Sequence, residues 1–299
     1  MKKLAVLGCG AQSQIFCLNA PKHLGNDYFV TSVCAKNHEH AVELANRVGG
    51  RAAYTVDDML ELAPDIVVEF AGIEAVETYA EEILEAGADL IISSVGALDD
   101  EKFRDHLVRV ARQYERKIYI TSGAIGGMDL METYAVVGNP KVQIESIKPP
   151  ESYIGTPYME GKTVSETEEQ LIFDGNVHDA IRGFPRNVNV SVATALATEA
   201  KDAKVRLISK PGITEVSHRI TLSNDIMHSE LFFVSQPDPE NKKNSKSAAY
   251  SVIALLLEIC SFSKMLSMYD FTVLTETPIS AAISLLLRPF AASMAIENS

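Results

Sequence analysis

The stretch Leu4-Ala5-Val6-Leu7-Gly8-Cys9-Gly10-Ala11-Gln12-Ser13 decides how the rest of the chain is read. Four apolar residues run into two glycines one residue apart, and a helical pattern follows over residues 11–20, up to Pro21. A strand, a glycine turn and a helix in that order give a GxG its meaning. The first glycine permits the tight turn, the second lets backbone approach a pyrophosphate, and the unpaired N–H groups of the helix start meet its charge. Gly8, Gly10, Ala11 and Gln12 are therefore candidate dinucleotide contacts. The third glycine of the fingerprint is replaced by Ser13, a small residue where helix-to-strand packing matters rather than phosphate contact.

The alternation continues outward from this turn. Residues 28–34, 65–70, 90–94 and 118–121 are short apolar runs, and helical patterns at 40–48, 74–85 and 101–114 lie between them. Strands apolar on both faces and separated by helices predict an α/β fold with a doubly wound parallel sheet, a Rossmann domain over residues 1–122, its ligand site at the carboxyl ends of the strands. NAD-selective folds of this kind usually close the second strand with an acid for the ribose 2′-hydroxyl, about 20 residues past the glycines. Here that region reads Ala35-Lys36-Asn37. Lys36 suits a 2′-phosphate, so both NAD and NADP stay open as the cofactor.

Past residue 121 the pattern changes. Residues 122–129 are glycine-dense and lead into a helix through Val137; strand patterns follow at 142–147, 170–174, 204–209, 216–222 and 229–234, several alternating polar with apolar. Helical patterns cover 193–200 and 247–260. These predict a second, α+β domain over 123–245 on a largely antiparallel sheet, then C-terminal helices over 246–299 that pack back on the Rossmann domain.

With 299 residues, 46% of them hydrophobic, the chain can bury a sizeable core. A formal charge of −13 argues against a nucleic-acid or anionic-membrane partner, and an anionic substrate would need a local basic pocket. The four cysteines lack CxxC spacing and the histidines lack ligand spacing, so reduced thiols, a cytoplasmic protein and no metal site are expected. The apolar runs at 251–257 and 279–287 end short of the ~18 residues a membrane span requires.

Six strings resemble the L-aspartate dehydrogenase family, in its order: Ser93-Ser94-Val95-Gly96-Ala97-Leu98, Ser122-Gly123-Ala124-Ile125-Gly126-Gly127, Lys148-Pro149-Pro150, Phe184-Pro185-Arg186-Asn187-Val188-Asn189-Val190, Ser217-His218-Arg219-Ile220 and Ala249-Tyr250-Ser251-Val252-Ile253-Ala254-Leu255. The resemblance implies oxidation of L-aspartate by NAD or NADP to iminoaspartate, which yields oxaloacetate and ammonia or feeds NAD biosynthesis. It also implies a homodimer, Ala124 and Asn189 at the nicotinamide end, and His218 as the catalytic residue. The chemistry asks for such a group, because an ammonium must lose a proton before its Cα releases hydride; a histidine titrating near neutrality suits that transfer as general base. Lys148, Arg186 and Arg219 are candidate cations for the substrate carboxylates, although Arg219 faces away from His218 if the stretch is extended. Two positions depart from the family pattern: Ile147 stands where it tends to have arginine and Val216 where it has asparagine. The residues alone leave open a dehydrogenase of another amino or hydroxy acid, and a noncatalytic NAD(P)-binding protein.

Overall fold

The computed structural model of the chain describes residues 1–238 and 241–268. Its first six strands are β1 (Lys2–Leu7), β2 (Tyr28–Cys34), β3 (Arg51–Ala53), β4 (Ile66–Glu69), β5 (Asp89–Ile92) and β6 (Ile118–Ile120). All pair in parallel, in the order β3-β2-β1-β4-β5-β6. The order reverses between β1 and β4, which opens a crevice beyond the carboxyl ends of those two strands. The helices α1 (Ala11–Leu24), α2 (His38–Val48), α3 (Val56–Leu60), α4 (Ile73–Glu85) and α5 (Glu101–Gln113) connect the strands.

The unbroken apolar run of β1 follows from this sandwich. Leu4 and Val6 enter one layer with Phe16, Leu24 and Leu44, while Ala5 and Leu7 enter the other with Val76, Ile83 and Leu107. Each such buried aliphatic side chain contributes about 1.5–3 kcal/mol. One local expectation is corrected, and two short elements are added. The helix expected to stop before Pro21 continues to Leu24, because Ala20 and Leu24 are buried and their packing offsets the missing N–H bond. Strand β3 and helix α3 had no strong periodicity; β3 is held by pairing with β2, and α3 by a capping box of Thr55 and Asp58.

The second half comprises α6 (Met128–Val137), β7 (Lys141–Lys148), β8 (Gln170–Asn176), α7 (Val177–Gly183), α8 (Asn189–Thr198), β9 (Lys204–Ser209), β10 (Val216–Ser223) and β11 (His228–Ser235). These strands form a sheet in the order β11-β10-β7-β9-β8, antiparallel except for the β7–β9 pair. That pair is parallel because β8, α7 and α8 make a long crossover between its strands. One face of the sheet is buried beneath α6 and α8, in an apolar cluster continuous with one layer of the first sheet. The other face is open. A hairpin of β12 (Pro237–Asp238) and β13 (Asn241–Ser245) then leads to α9 (Ser247–Met268). This helix packs beside α1, with Val252 and Leu256 buried and the Tyr28 hydroxyl donating to the Leu256 carbonyl at 3.1 Å. The apolar run at 279–287 lies outside the described residues. Among the described residues no helix is long and apolar enough to cross a membrane.

Candidate active site

The crevice of the first sheet is lined by backbone. Gly8 has φ +107°, and a Cβ there would stand 2.8–2.9 Å from the backbone of Phe70 and Ala71, so two strand ends meet at a distance only glycine allows. Gly10, the N-cap of α1, shows the opposite: a Cβ built on it meets nothing within 4 Å. Open space over Gly10, beside the first N–H groups of α1, fits a pyrophosphate. Ser13 is fully buried, in keeping with a packing role, and its Oγ has no partner among the described residues.

Ala11 opens α1 and contributes a backbone N–H to this edge. The Gln12 side chain has another task. Its Nε2 donates to the Ser245 carbonyl at 2.8 Å and its Oε1 accepts from the Ala249 N–H at 3.0 Å, tying α1 to the start of α9. Only its backbone N–H is left to face an anion. Lys36, just past β2, pairs with Glu74 of α4 at 2.8 Å, and the neighbouring Asn37 side chain caps α2.

Sequence reasoning missed Glu69 at the end of β4. Its carboxylate is 1% exposed and accepts from the N–H groups of Ala71, Gly72 and Ser94 and from the Ser94 hydroxyl, at 2.6–3.0 Å. Burial raises its pKa against the pull of those four donors. One side chain thus pins the β4–α4 turn to the end of β5. Beyond Ser94, the Gly96 N–H donates to Asn189 Oδ1 at 3.2 Å, which seats the first turn of α8 on the carboxyl edge of the first sheet. Ala124 is half-buried in the glycine turn after β6, and the same turn packs on β11 through Gly126 and Gly127, against Phe233 and Leu231.

The second sheet presents side chains instead. His218 on β10 is 3% exposed, and its Nδ1 lies 2.8 Å from Oγ of Ser146, its register partner on β7. Two residues along β7, on the same face, Lys148 is also buried; its ammonium donates to the carbonyl and Oδ1 of Asn187 at 3.0 and 3.3 Å. It pairs with no carboxylate among the described residues. Burial brings the Lys148 pKa down to about 8, and burial together with the Lys148 charge brings that of His218 down to about 3. Ser209, opposite Lys148 on β9, is fully buried, and its Oγ has no partner among the described residues. A buried cation without a counter-ion beside an unsatisfied hydroxyl suits an anionic ligand. Asn187 stands two residues before Asn189, so one short segment joins this face to the first sheet.

Strand alternation sorts the remaining candidates. Arg219 points to the open face, where it contacts Glu230 and lies 5.2 Å from the Phe232 ring, and Arg186 is exposed. Ile147 also faces the open side, away from His218, whereas Val216 shares the face of His218. His178 pairs with Asp99 at 2.6 Å across the two halves of the chain.

Comparison with known proteins supplies the family. Residues 129–259 match the C-terminal domain of aspartate dehydrogenase, and residues 17–121 match the NAD-binding domain of homoserine dehydrogenase. The chain is 34% identical over 261 residues to the L-aspartate dehydrogenase of Methanospirillum hungatei, covering 87% of this chain and 98% of that one. It belongs to the L-aspartate dehydrogenase family. The enzyme of that name from Methanocaldococcus jannaschii is 32% identical over 260 residues, with 87% and 97% covered. In fold, the chain is similar to aspartate dehydrogenase from Thermotoga maritima, with a TM-score of 0.65, 24% identity, and 87% of this chain and 97% of that one covered. GenD2 from gentamicin A biosynthesis, solved in complex with NAD, shares the architecture at a TM-score of 0.54 and 12% identity, with 87% of this chain and 86% of that one covered. The family is one of oxidoreductases with an NAD-binding domain, and the Rossmann sheet and second sheet are its fold.

Proposed function

We propose that this chain oxidises L-aspartate with NAD or NADP to iminoaspartate, which water converts to oxaloacetate and ammonia, with His218 as general base. The observation that carries the reading is the buried pair of His218 and Lys148 on the covered face of the second sheet, joined through residues 187–189 to the carboxyl edge of the first. When bound, the nicotinamide takes up the hydride released from the substrate Cα.

The protein's own groups do the rest. Lys148 meets a substrate carboxylate, gaining the counter-ion that the protein withholds. For His218 to accept a proton at Nε2, its Nδ1–H donates to Ser146 Oγ, so Ser146 sets both tautomer and ring orientation. Buried beside Lys148, His218 is neutral and weakly basic, because burial and the Lys148 charge both disfavour its protonation. A dicarboxylate neutralises Lys148 and adds negative charge nearby, which raises the basicity of His218 when the ammonium arrives. The amine left behind releases hydride from Cα and becomes the iminium ion, and His218, once it has passed the first proton to solvent, is free to deprotonate the hydrolytic water. Gly8, Gly10, Ala11, Ala124 and Asn189 would hold the cofactor.

The open face of the second sheet carries the row Leu171-Ile208-Ile147-Ser217-Val234 across all five strands, with Leu171 and Val234 about half exposed. Such a face supports a homodimer. None of the four cysteines is in a disulfide, which suits the cytoplasm. The test is the initial rate at the reduced-nicotinamide absorbance band, with L-aspartate and either NAD or NADP, for wild type and His218→Ala. Aspartate-dependent turnover that vanishes in the variant supports the reading. Cofactor binding without any aspartate-dependent rate overturns it.

A further inference from the structure

The crevice over the glycine turn has two walls. One is the segment after β2, the other the segment after β4, and in the sheet these two strands flank β1. The second wall lies so close to the glycine turn that the backbone of Phe70 and Ala71 excludes any side chain at Gly8. Across that narrow crevice Lys36 Nζ, from the β2 wall, meets Glu74 Oε2, from the first turn of α4, at 2.8 Å. Both side chains are more than three-quarters exposed, so packing does not hold them together. The end of β2 has no acid for a ribose 2′-hydroxyl, and the Asn37 side chain is committed to capping α2.

We propose that Lys36 and Glu74 act together as the selector between the two cofactors, with Glu74 supplying from α4 the carboxylate that β2 lacks. With NAD, the Lys36–Glu74 pair persists and Glu74 accepts from the 2′-hydroxyl. With NADP, the 2′-phosphate takes Lys36 for itself, and Glu74, now a like charge beside it, must swing away. Glu74 thereby penalises NADP and Lys36 rewards it, so the balance of the two sets the preference. The inference rests on the NAD(P)-dependent reading above and deepens it.

Direct binding tests it without turnover, by fluorescence titration of the whole protein with NADH and with NADPH. Glu74→Gln leaves the Lys36 charge unopposed and raises the ratio Kd(NADH)/Kd(NADPH) by about threefold or more. Lys36→Gln removes a charge-assisted phosphate contact and lowers the ratio by about tenfold, with a smaller effect at high salt. The proposal is overturned if either variant weakens or strengthens both cofactors alike, leaving the ratio within about twofold of wild type. If wild type binds neither NADH nor NADPH, the dehydrogenase reading itself falls. If it binds them and the ratio stays put, only the selector falls.

Discussion

The two sheets build their halves of the site from different materials. At the carboxyl edge of the first, the candidate surface is backbone: a glycine with φ +107°, another under open space, and the first N–H groups of a helix. On the covered face of the second, it is made of side chains, with His218, Ser146 and Lys148 all less than a tenth exposed. A backbone site depends little on the side chains around it. A side-chain site of buried polar groups depends on each of them, because a partner removed there leaves a desolvated group unpaired.

This contrast can be broken by substitution. His218→Ala should cost about 10³-fold in kcat, the range of a lost general base, with the Kd for NADH unchanged. A comparable loss of cofactor affinity would mean that the second sheet does not hold the chemistry alone. Lys148→Met should raise the KM for aspartate about 100-fold while raising the melting temperature, since an unpaired buried charge is removed. In wild type the same KM should climb above pH 8 as the ammonium deprotonates.

The first sheet is tested by its two glycines. Gly8→Ala forces a Cβ into the backbone at 2.8 Å with a positive φ and should destabilise by about 2–3 kcal/mol in denaturant unfolding. Gly10→Ala meets no protein atom, so stability should hold while cofactor affinity drops about tenfold. Equal effects at both would remove the distinction between a packing glycine and a ligand glycine.

Acid sharpens the second half of the comparison. The pKa of His218 lies below its unfolded value of 6.5, so below pH 6.5 the unfolded chain takes up a proton that the folded one refuses. Stability therefore falls with pH, by about 1 kcal/mol between 6.5 and 5.5 from this residue, and His218→Phe should flatten that part of the curve. The smallest effect is expected at Ser146: replacement by Ala should lower kcat about threefold with little change in KM, if it orients His218 and touches no substrate.

Much of the architecture was legible in the residues. The strand, glycine turn and helix at residues 4–20 and the alternation after them identify the Rossmann sheet, because its strands are apolar on both faces and its phosphate turn is local. Less legible were β3, too short for a pattern, and the parallel β7–β9 pair, which depends on a crossover. Lys148 and His218 could be named from the resemblance, but Ser146 could not. It is 72 residues from His218, and only the β7–β10 register brings the two together. Glu69 reads as the last residue of an apolar strand, and nothing local says that it gathers four donors from two loops.

By itself the sequence determined most of the order of elements, the glycine turn after β1 and the absence of an acid at the end of β2, since each is carried by neighbours along the chain. Tertiary structure decided which groups are desolvated and by what. It sent Gln12 to α9, turned Arg219 and Ile147 to the open face, and left Lys148 beside His218 with no counter-ion among the described residues. Charge, basicity and the demand for a ligand arise from burial and from partners far apart in sequence, and those exist only once the sheets have paired.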